Sequence, residues 1–370
     1  MASIKKRPDG IWRARYRDEN NQEHAGHHAT KAAAQRWLDE QTASIVTGMY
    51  VDPKAGRITF REYAESWRKA QVHRAGTTIS VEQQLRLHVY PTIGNRALKS
   101  IRPSDVQALV RRLGETLAPG TVAVVYGRVA TVFNAAVRDR LIAYTPCVDV
   151  KRPAVPPAST LEVLTTDQVL KLAKAVPERY GALILTGAGT GLRPGELFGL
   201  TVDRIDFLRR TVRVDQQLVR VRGEGVEHGP LKTSTSYRTV PLPRAVCEAL
   251  AAHLARWEPD PTQNLAFTNE RRAPIQQHPF AVTWGRGRKA AGVPPWATPH
   301  DLRHYYASLL IRSGASVKVV QSRLGHASAK TTLDVYGHLF HDEEDRTRDA
   351  VDAEFSASAD LPRTAEGRPA

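Results

Sequence analysis

The sequence predicts a mainly α-helical chain with small β elements, an α+β fold arranged as separate units. Three observations predict it. Apolar residues recur at helical spacing from about Thr59 onward. Strict alternation is confined to short runs such as IWRARYRD near the N-terminus and TVRVDQQLVRV further on. A Pro-rich stretch, KRPAVPPAST, interrupts the pattern midway. The expected units are a small sheet-and-helix domain over 1–57, a helical bundle over 58–153, a linker over 154–160, a mostly helical domain with a β-hairpin over 161–341, and an acidic tail over 342–370. At 370 residues with 41% hydrophobic content, the chain is long enough and apolar enough for two or three cores.

Taken in order, IWRARYRD reads as a strand, ENNQ as a turn, EHAGHHAT as the partner strand and KAAAQRWLDEQTASIV as a helix. Trp12 and Tyr16 interleave with Arg13, Arg15 and Arg17, downstream of Lys5 and Lys6. Such a basic strand can lie in a DNA groove, although an ordinary exposed hairpin has the same composition. In the bundle, TFREYAESWRKA opens with a Thr59–Glu62 capping box and SDVQALVRRL with a second from Ser104 to Gln107. VEQQLRLHVY lies between them, and VAVVYGRVATVFNAAVRDRLI follows Pro119-Gly120, which makes about four helices.

Helices resume from Thr165. TVRVDQQLVRV and YRTVPLP flank a Gly-rich polar segment and read as a hairpin with Lys232 beside its turn. Thr298 and Pro299 supply an N-cap and a first-turn proline, which puts His300 at a helix N-terminus, where backbone N–H groups favour an anion. HYYASLLIRSGASVKVVQSRLGH gives two helices broken at Ser313-Gly314, a pattern shared with helix-turn-helix proteins. ASAKTTLDVYGH gives a short helix capped by Ser328, with Leu333 and Tyr336 three apart. The polar, acidic tail reads as disordered.

A net charge of +15 and a pI of about 10.0, with arginine outnumbering lysine, favour a polyanionic partner, nucleic acid first. Cys147 and Cys247 form no CxxC pair and no disulfide framework, which fits a reducing compartment. No run approaches membrane-spanning length, and the N-terminus, despite Lys5, Lys6 and Arg7, lacks the apolar core of a signal peptide; a cytoplasmic, DNA-associated protein is expected.

The chemistry is concentrated in TGLRPGE (190–196), HDLRH (300–304), LGH (324–326) and Tyr336. Attack on a phosphodiester builds negative charge on the non-bridging oxygens, so preorganised cations are needed. The planar forks of Arg193 and Arg303 suit that task. Tyr336 can act as nucleophile if His300 or His326 helps remove its proton, and Lys232 can protonate the leaving 5′-oxygen. Two other readings are set aside. GAGTGLRPG lacks the third glycine of a dinucleotide loop and the Gly-Lys-Ser/Thr of a phosphate loop; HDLRH has Asp301 where zinc peptidases carry a glutamate base, and no third ligand, so His304 reads as a helix-packing residue or as one that supports the site from behind.

With these motifs in this order, residues 161–341 resemble the catalytic domain of the tyrosine recombinases, specifically the phage-type integrases. The resemblance implies that Arg193 and Arg303 clamp the phosphate, Lys232 is the hairpin lysine, His300 and His326 are the two histidines, Tyr336 is the nucleophile and Glu196 supports the first arginine. Residues 1–57 look like an arm-binding domain, with Lys5, Lys6, Arg13, Arg15 and Arg17 on DNA, and 58–153 like a core-binding domain that completes a clamp around the duplex. It further implies a heterobivalent integrase acting through a 3′-phosphotyrosine on the attachment sites of a mobile element such as a prophage. No cofactor, metal or ATP is required; the partners implied are a homotetramer on DNA, a DNA-bending host factor, a directionality factor and a neighbouring protomer for the tail. A non-catalytic DNA-binding regulator and a tyrosine topoisomerase remain as alternatives.

Overall fold

The computed structural model describes residues 2–18, 21–46, 52, 55–155, 161–221, 225–340 and the backbone of 344–359. Half of the ENNQ turn (Glu19 and Asn20), most of the expected linker (156–160) and the end of the tail (360–370) lie outside the described residues. The chain forms two compact units, Met1–Pro157 and Ala158–Ala370.

In the first unit, β1 (Ser3–Lys6), β2 (Trp12–Arg17) and β3 (Glu23–His28) make an antiparallel sheet in that order, backed by α1 (Lys31–Val46). The sheet has one strand more than alternation alone indicated. Ala14 and Tyr16 point to α1 and pack with Ala34 and Leu38. The intervening Arg13, Arg15 and Arg17 therefore share the opposite face, where Lys5 stands directly across from Arg13. Lys6 pairs with Trp12 on the helix side and lies over its ring at 5.9 Å, so it does not belong to that basic face.

The bundle follows. α2 (Phe60–Ala70) begins with the expected capping box: Glu62 N–H donates to Thr59 Oγ1 at 3.2 Å, and Thr59 N–H to Glu62 Oε2 at 2.9 Å. α3 (Ala75–Gln84) continues into wider π-type turns over Leu85–Gly94, which hold Pro91. α4 (Pro103–Gly114) starts two residues earlier than an N-cap at Ser104 would make it, because Pro103 takes the first helical position and Asp105 accepts the Arg102 N–H at 2.8 Å. Gln107 instead clasps the backbone of Lys151 through both its amide atoms. α5 (Pro119–Arg138) is, by length and composition, apolar enough to cross a membrane, contrary to the sequence reading. Its Val122, Val125, Val129, Val132 and Phe133 are buried in the bundle, with Phe133 5.1 Å from the Phe60 ring, so its hydrophobicity is that of a core helix.

The second unit opens with α6 (Thr166–Ala175), α7 (Glu178–Thr190) and α8 (Pro194–Phe198). Five strands come next: β4 (Ile205–Asp206), β5 (Thr211–Val214), β6 (Gln217–Val221), β7 (Gly225–Gly229) and β8 (Arg238–Pro241). The expected hairpin is here more elaborate. TVRV pairs directly with RTVP in a β4-β5-β8 sheet, and QLVRV pairs with GVEHG as a separate two-stranded hairpin inserted between them. α9 (Arg244–Arg256), α10 (Gln277–Ala290), α11 (Asp301–Arg312), α12 (Val317–Leu324) and α13 (Ala329–Tyr336) complete a core around Ile184, Phe198, Phe280, Trp284 and Leu302. The tail contains a helix, α14 (Glu344–Ala359), where the sequence reading expected disorder or a segment ordered only against a partner.

Candidate active site

Arg193 is set by a sharp exit from α7. Gly191 closes the helix in the left-handed region (φ 63°), and a Cβ there would lie 2.4 Å from a ring carbon of Tyr306, so glycine answers to both conformation and space. Two residues on, Arg193 caps α8 and meets Glu196 twice: its N–H donates to Oε2 at 2.9 Å and its Nη1 to Oε1 at 2.8 Å. Nη2 also donates to the Gly325 carbonyl at 3.2 Å, and Nη1 lies 3.4 Å from Ser236 Oγ. Glu196 is buried, which alone would raise its pKa, but hydrogen bonds and charge from Arg238, joined by Arg193, hold it below the usual carboxylate range. Arg238 reaches it from β8 and also donates Nε to the Arg323 carbonyl at 2.8 Å.

Arg303, in the first turn of α11, is only 2% exposed. Its Nη1 donates to the Gly191 carbonyl at 2.8 Å and Nη2 to the Leu324 carbonyl at 2.6 Å, two helix ends whose last carbonyls need partners. Burial, then the nearby charge of Arg193, lowers its pKa to about 9, which leaves it protonated at neutral pH. A guanidinium has five N–H groups, so both arginines keep donors beyond these protein contacts.

His300 immediately precedes α11, as expected; Thr298 donates its N–H and hydroxyl to Asp301 Oδ2 rather than capping the helix with its own oxygen. Burial, with the charges of His304 and Arg303 beside it, pushes the pKa of His300 down, and Asp301 opposes the shift. His326 follows Gly325, the left-handed cap of α12, and its Nδ1 bonds Thr332 Oγ1 at 2.9 Å. Burial and the charges of Arg303 and Arg193 bring its pKa to about 4.

Tyr336 ends α13, whose first turn is capped by Ser328 as expected. It is 1% exposed; its ring lies parallel to that of His326, 6.4 Å between centroids, and its hydroxyl stands 2.8 Å from Nδ1 of His304. Burial raises the phenol to about 12, against the opposing charge of Arg303. His304 in turn meets His300 edge-on at 5.1 Å.

The structure thus brings Arg193, Glu196, His300, Arg303, His326 and Tyr336 into one network. Lys232 stays outside it. Its exposed ammonium follows the β6-β7 hairpin and makes no hydrogen bond or ion pair among the described residues, although the next residue, Thr233, touches Ser236 Oγ at 2.9 Å. Sequence reasoning missed Arg238 and Ser236 and read His304 as packing the helix or supporting the site from behind, without a link to Tyr336. Arg238 was discoverable, since it shares a strand face with buried Val240 and a cation so placed needs an acidic partner. The helix-turn-helix pattern of α11 and α12 forms, but Leu302, Arg303, Tyr305 and Tyr306 are buried by it.

Comparison with known proteins matches residues 162–343 to the phage integrase family model and residues 60–153 to that of the phage integrase central domain. The chain belongs to the phage integrase family. The putative prophage phiRv2 integrase of Mycobacterium tuberculosis is 29% identical over 313 residues, covering 82% of each chain. The integrase of Mycobacterium phage FRAT1 is 27% identical, covering 81% of this chain and 92% of that one. A XerC-like tyrosine recombinase of Caldanaerobacter subterraneus is 26% identical over 84% of this chain and 86% of its own. Among solved structures, the Tn1549 transposon integrase in complex with a circular intermediate DNA shares the fold, with a TM-score of 0.69 at 24% identity over 80% of this chain and 99% of that one. A lambda integrase dimer bound to a core site gives 0.58 at 17% over 92% and 95%. As an integrase-family member the chain is a tyrosine-type site-specific recombinase, whose family chemistry proceeds through a covalent phosphotyrosine.

Proposed function

We propose that this recombinase is a heterobivalent integrase that cuts and rejoins attachment-site DNA, inserting and excising a mobile element such as a prophage. Arg193 and Arg303 hold the scissile phosphate and stabilise its growing charge, with His300 and His326 beside them. Glu196 fixes the Arg193 fork. Tyr336 attacks phosphorus, and Lys232 swings in to protonate the departing 5′-oxygen. The single observation that supports this most is the convergence of four segments far apart in sequence: Arg193, tied to Glu196, bonds the Gly325 carbonyl, Arg303 bonds the adjacent Leu324 carbonyl, and the charges of both arginines reach Tyr336.

The basic face of the N-terminal sheet supports an arm-binding role for Arg13, Arg15, Arg17 and Lys5 within residues 1–57, and the bundle over 58–153 a core-binding role. A homotetramer at the synapse, a DNA-bending host factor and a directionality factor complete the reading, with the host cytoplasm as its place of work. The test is covalent capture on a nicked duplex spanning the element–chromosome junction, mapped from the gene's genomic flank. Wild type is expected to form a denaturant-resistant adduct and Tyr336→Phe none, while both bind. No adduct from wild type would overturn the recombinase assignment to these residues. Relaxation of a plasmid without any attachment sequence would favour a topoisomerase.

A further inference from the structure

Attack by Tyr336 requires its phenolic proton to go somewhere. We propose that His304 accepts it during strand cleavage and returns it during ligation, an inference that rests on Tyr336 being the nucleophile.

Geometry selects His304. Its Nδ1 lies 2.8 Å from Tyr336 Oη, within direct proton-transfer distance, and Tyr336 Oη has no other hydrogen-bond partner among the described residues. The two histidines named by the motif are differently employed. His326 Nδ1 is engaged by Thr332 Oγ1, and its ring lies parallel to the phenol. His300 touches His304 and makes no bond to Tyr336. His304 also follows Arg303 directly on α11, so the group that meets the nucleophile is placed by the same helical turn that places a phosphate-binding cation.

The surroundings keep the acceptor empty. Burial lowers the proton affinity of His304; Asp301 opposes this and Arg303 adds to it, so a neutral ring is favoured at neutral pH. Across from it stand Tyr336 and, behind that ring, His326. If Nδ1 accepts from the phenol, the ring proton sits on Nε2. Tyr336, pushed up to about 12, does not ionise unaided. As its oxygen begins to bond to phosphorus the phenolic proton becomes more acidic and passes to Nδ1. The bond from Tyr336 Oη to phosphorus forms, the bond from phosphorus to the 5′-oxygen breaks, and the 5′-oxygen takes its proton from the proposed acid, Lys232. In ligation the incoming 5′-hydroxyl attacks and returns its proton to Lys232, the bond from phosphorus to Tyr336 Oη breaks, and the imidazolium gives the phenolic oxygen its proton back. The charge on His304 in between is shared with Asp301 one turn away.

The experiment is single-turnover adduct formation by the full-length protein on the nicked junction duplex, with an ordinary phosphate and with a 5′-bridging sulfur, between pH 6.5 and 9. The sulfur leaves without an acid, so Lys232→Ala is expected to recover on that substrate, whereas a variant lacking the phenol's proton acceptor is not. Wild type is expected to be nearly flat in pH. His304→Ala is expected to fall by roughly 10²–10³-fold at pH 7 and to regain about tenfold per pH unit, because hydroxide must replace the base. His304→Asn keeps a hydrogen-bond acceptor without basicity and is expected to be as slow. Wild-type rate in the Asn variant, or a flat profile in either variant, would overturn proton acceptance and leave a positioning role. Should the Ala variant fail to fold, the Asn variant decides alone. An adduct formed by Tyr336→Phe would instead remove the underlying assignment of the nucleophile.

Discussion

Arg238 on β8 and Glu196 on α8 form a two-pronged ion pair, Nη2 to Oε2 at 2.8 Å and Nη1 to Oε1 at 3.2 Å, with both side chains almost fully buried. The pair ties the strand to the turn that presents Arg193. Replacing Arg238 by Ala leaves a buried carboxylate with Arg193 as its remaining cation, so a loss of about 3–5 kcal/mol is expected in urea unfolding. An unchanged midpoint would show that solvent reaches Glu196 after all.

Arg193→Lys keeps one positive charge but cannot reach Glu196, Gly325 and a phosphate with separate N–H groups. Adduct formation should drop by roughly 10²-fold while binding to the junction duplex stays within a few-fold. Equal rates for the two proteins would argue against a bidentate clamp.

Acid sensitivity should appear in two stages. In the unfolded chain a histidine takes up a proton near pH 6.5, whereas the folded site keeps His326 neutral down to about 4. Unfolding is therefore favoured progressively as pH falls through that window. Glu196, held below 4.5 when folded, acts in the same direction: its contribution is present above that value and is lost as pH drops further. Urea midpoints from pH 8 to 4 measure this, and His326→Asn should flatten the upper part of the curve.

The N-terminal face gives a salt-dependence prediction. Arg13, Arg15 and Arg17 share Glu23 as a weak surface partner at 3.5–3.9 Å, so they are available to phosphates. Removing the three together should lower the slope of log K against log salt by about 0.9 for each phosphate that is no longer neutralised. Lys6→Ala, which removes a cation stacked on Trp12 on the other face, should leave the slope nearly unchanged.

Much of this was legible in the sequence for local reasons. The Thr59–Glu62 box, the Ser328 cap, the break at Ser313-Gly314 and α1 over Lys31–Val46 all follow from residues within a turn of one another. What escaped depends on distant partners. The order β4-β5-β8 sets aside the nearer strands β6 and β7, and only tertiary packing chooses it. Arg238 and His304 looked ordinary because their partners lie 42 and 32 residues away. The N-terminus of α4 was misplaced because Ser104 and Asp105 offer competing caps, and Pro103 settles the matter by its fixed φ.

Arg303 ties the end of α7 to the end of α12 through the carbonyls of Gly191 and Leu324, 112 and 21 residues away along the chain. A chain still leaving the ribosome that has not yet reached Leu324 lacks one of the two carbonyls, so the guanidinium finds both of its anchors only when the domain is nearly complete. The most deeply buried cation of the site is thus fixed late in synthesis, by the two helix ends that it joins.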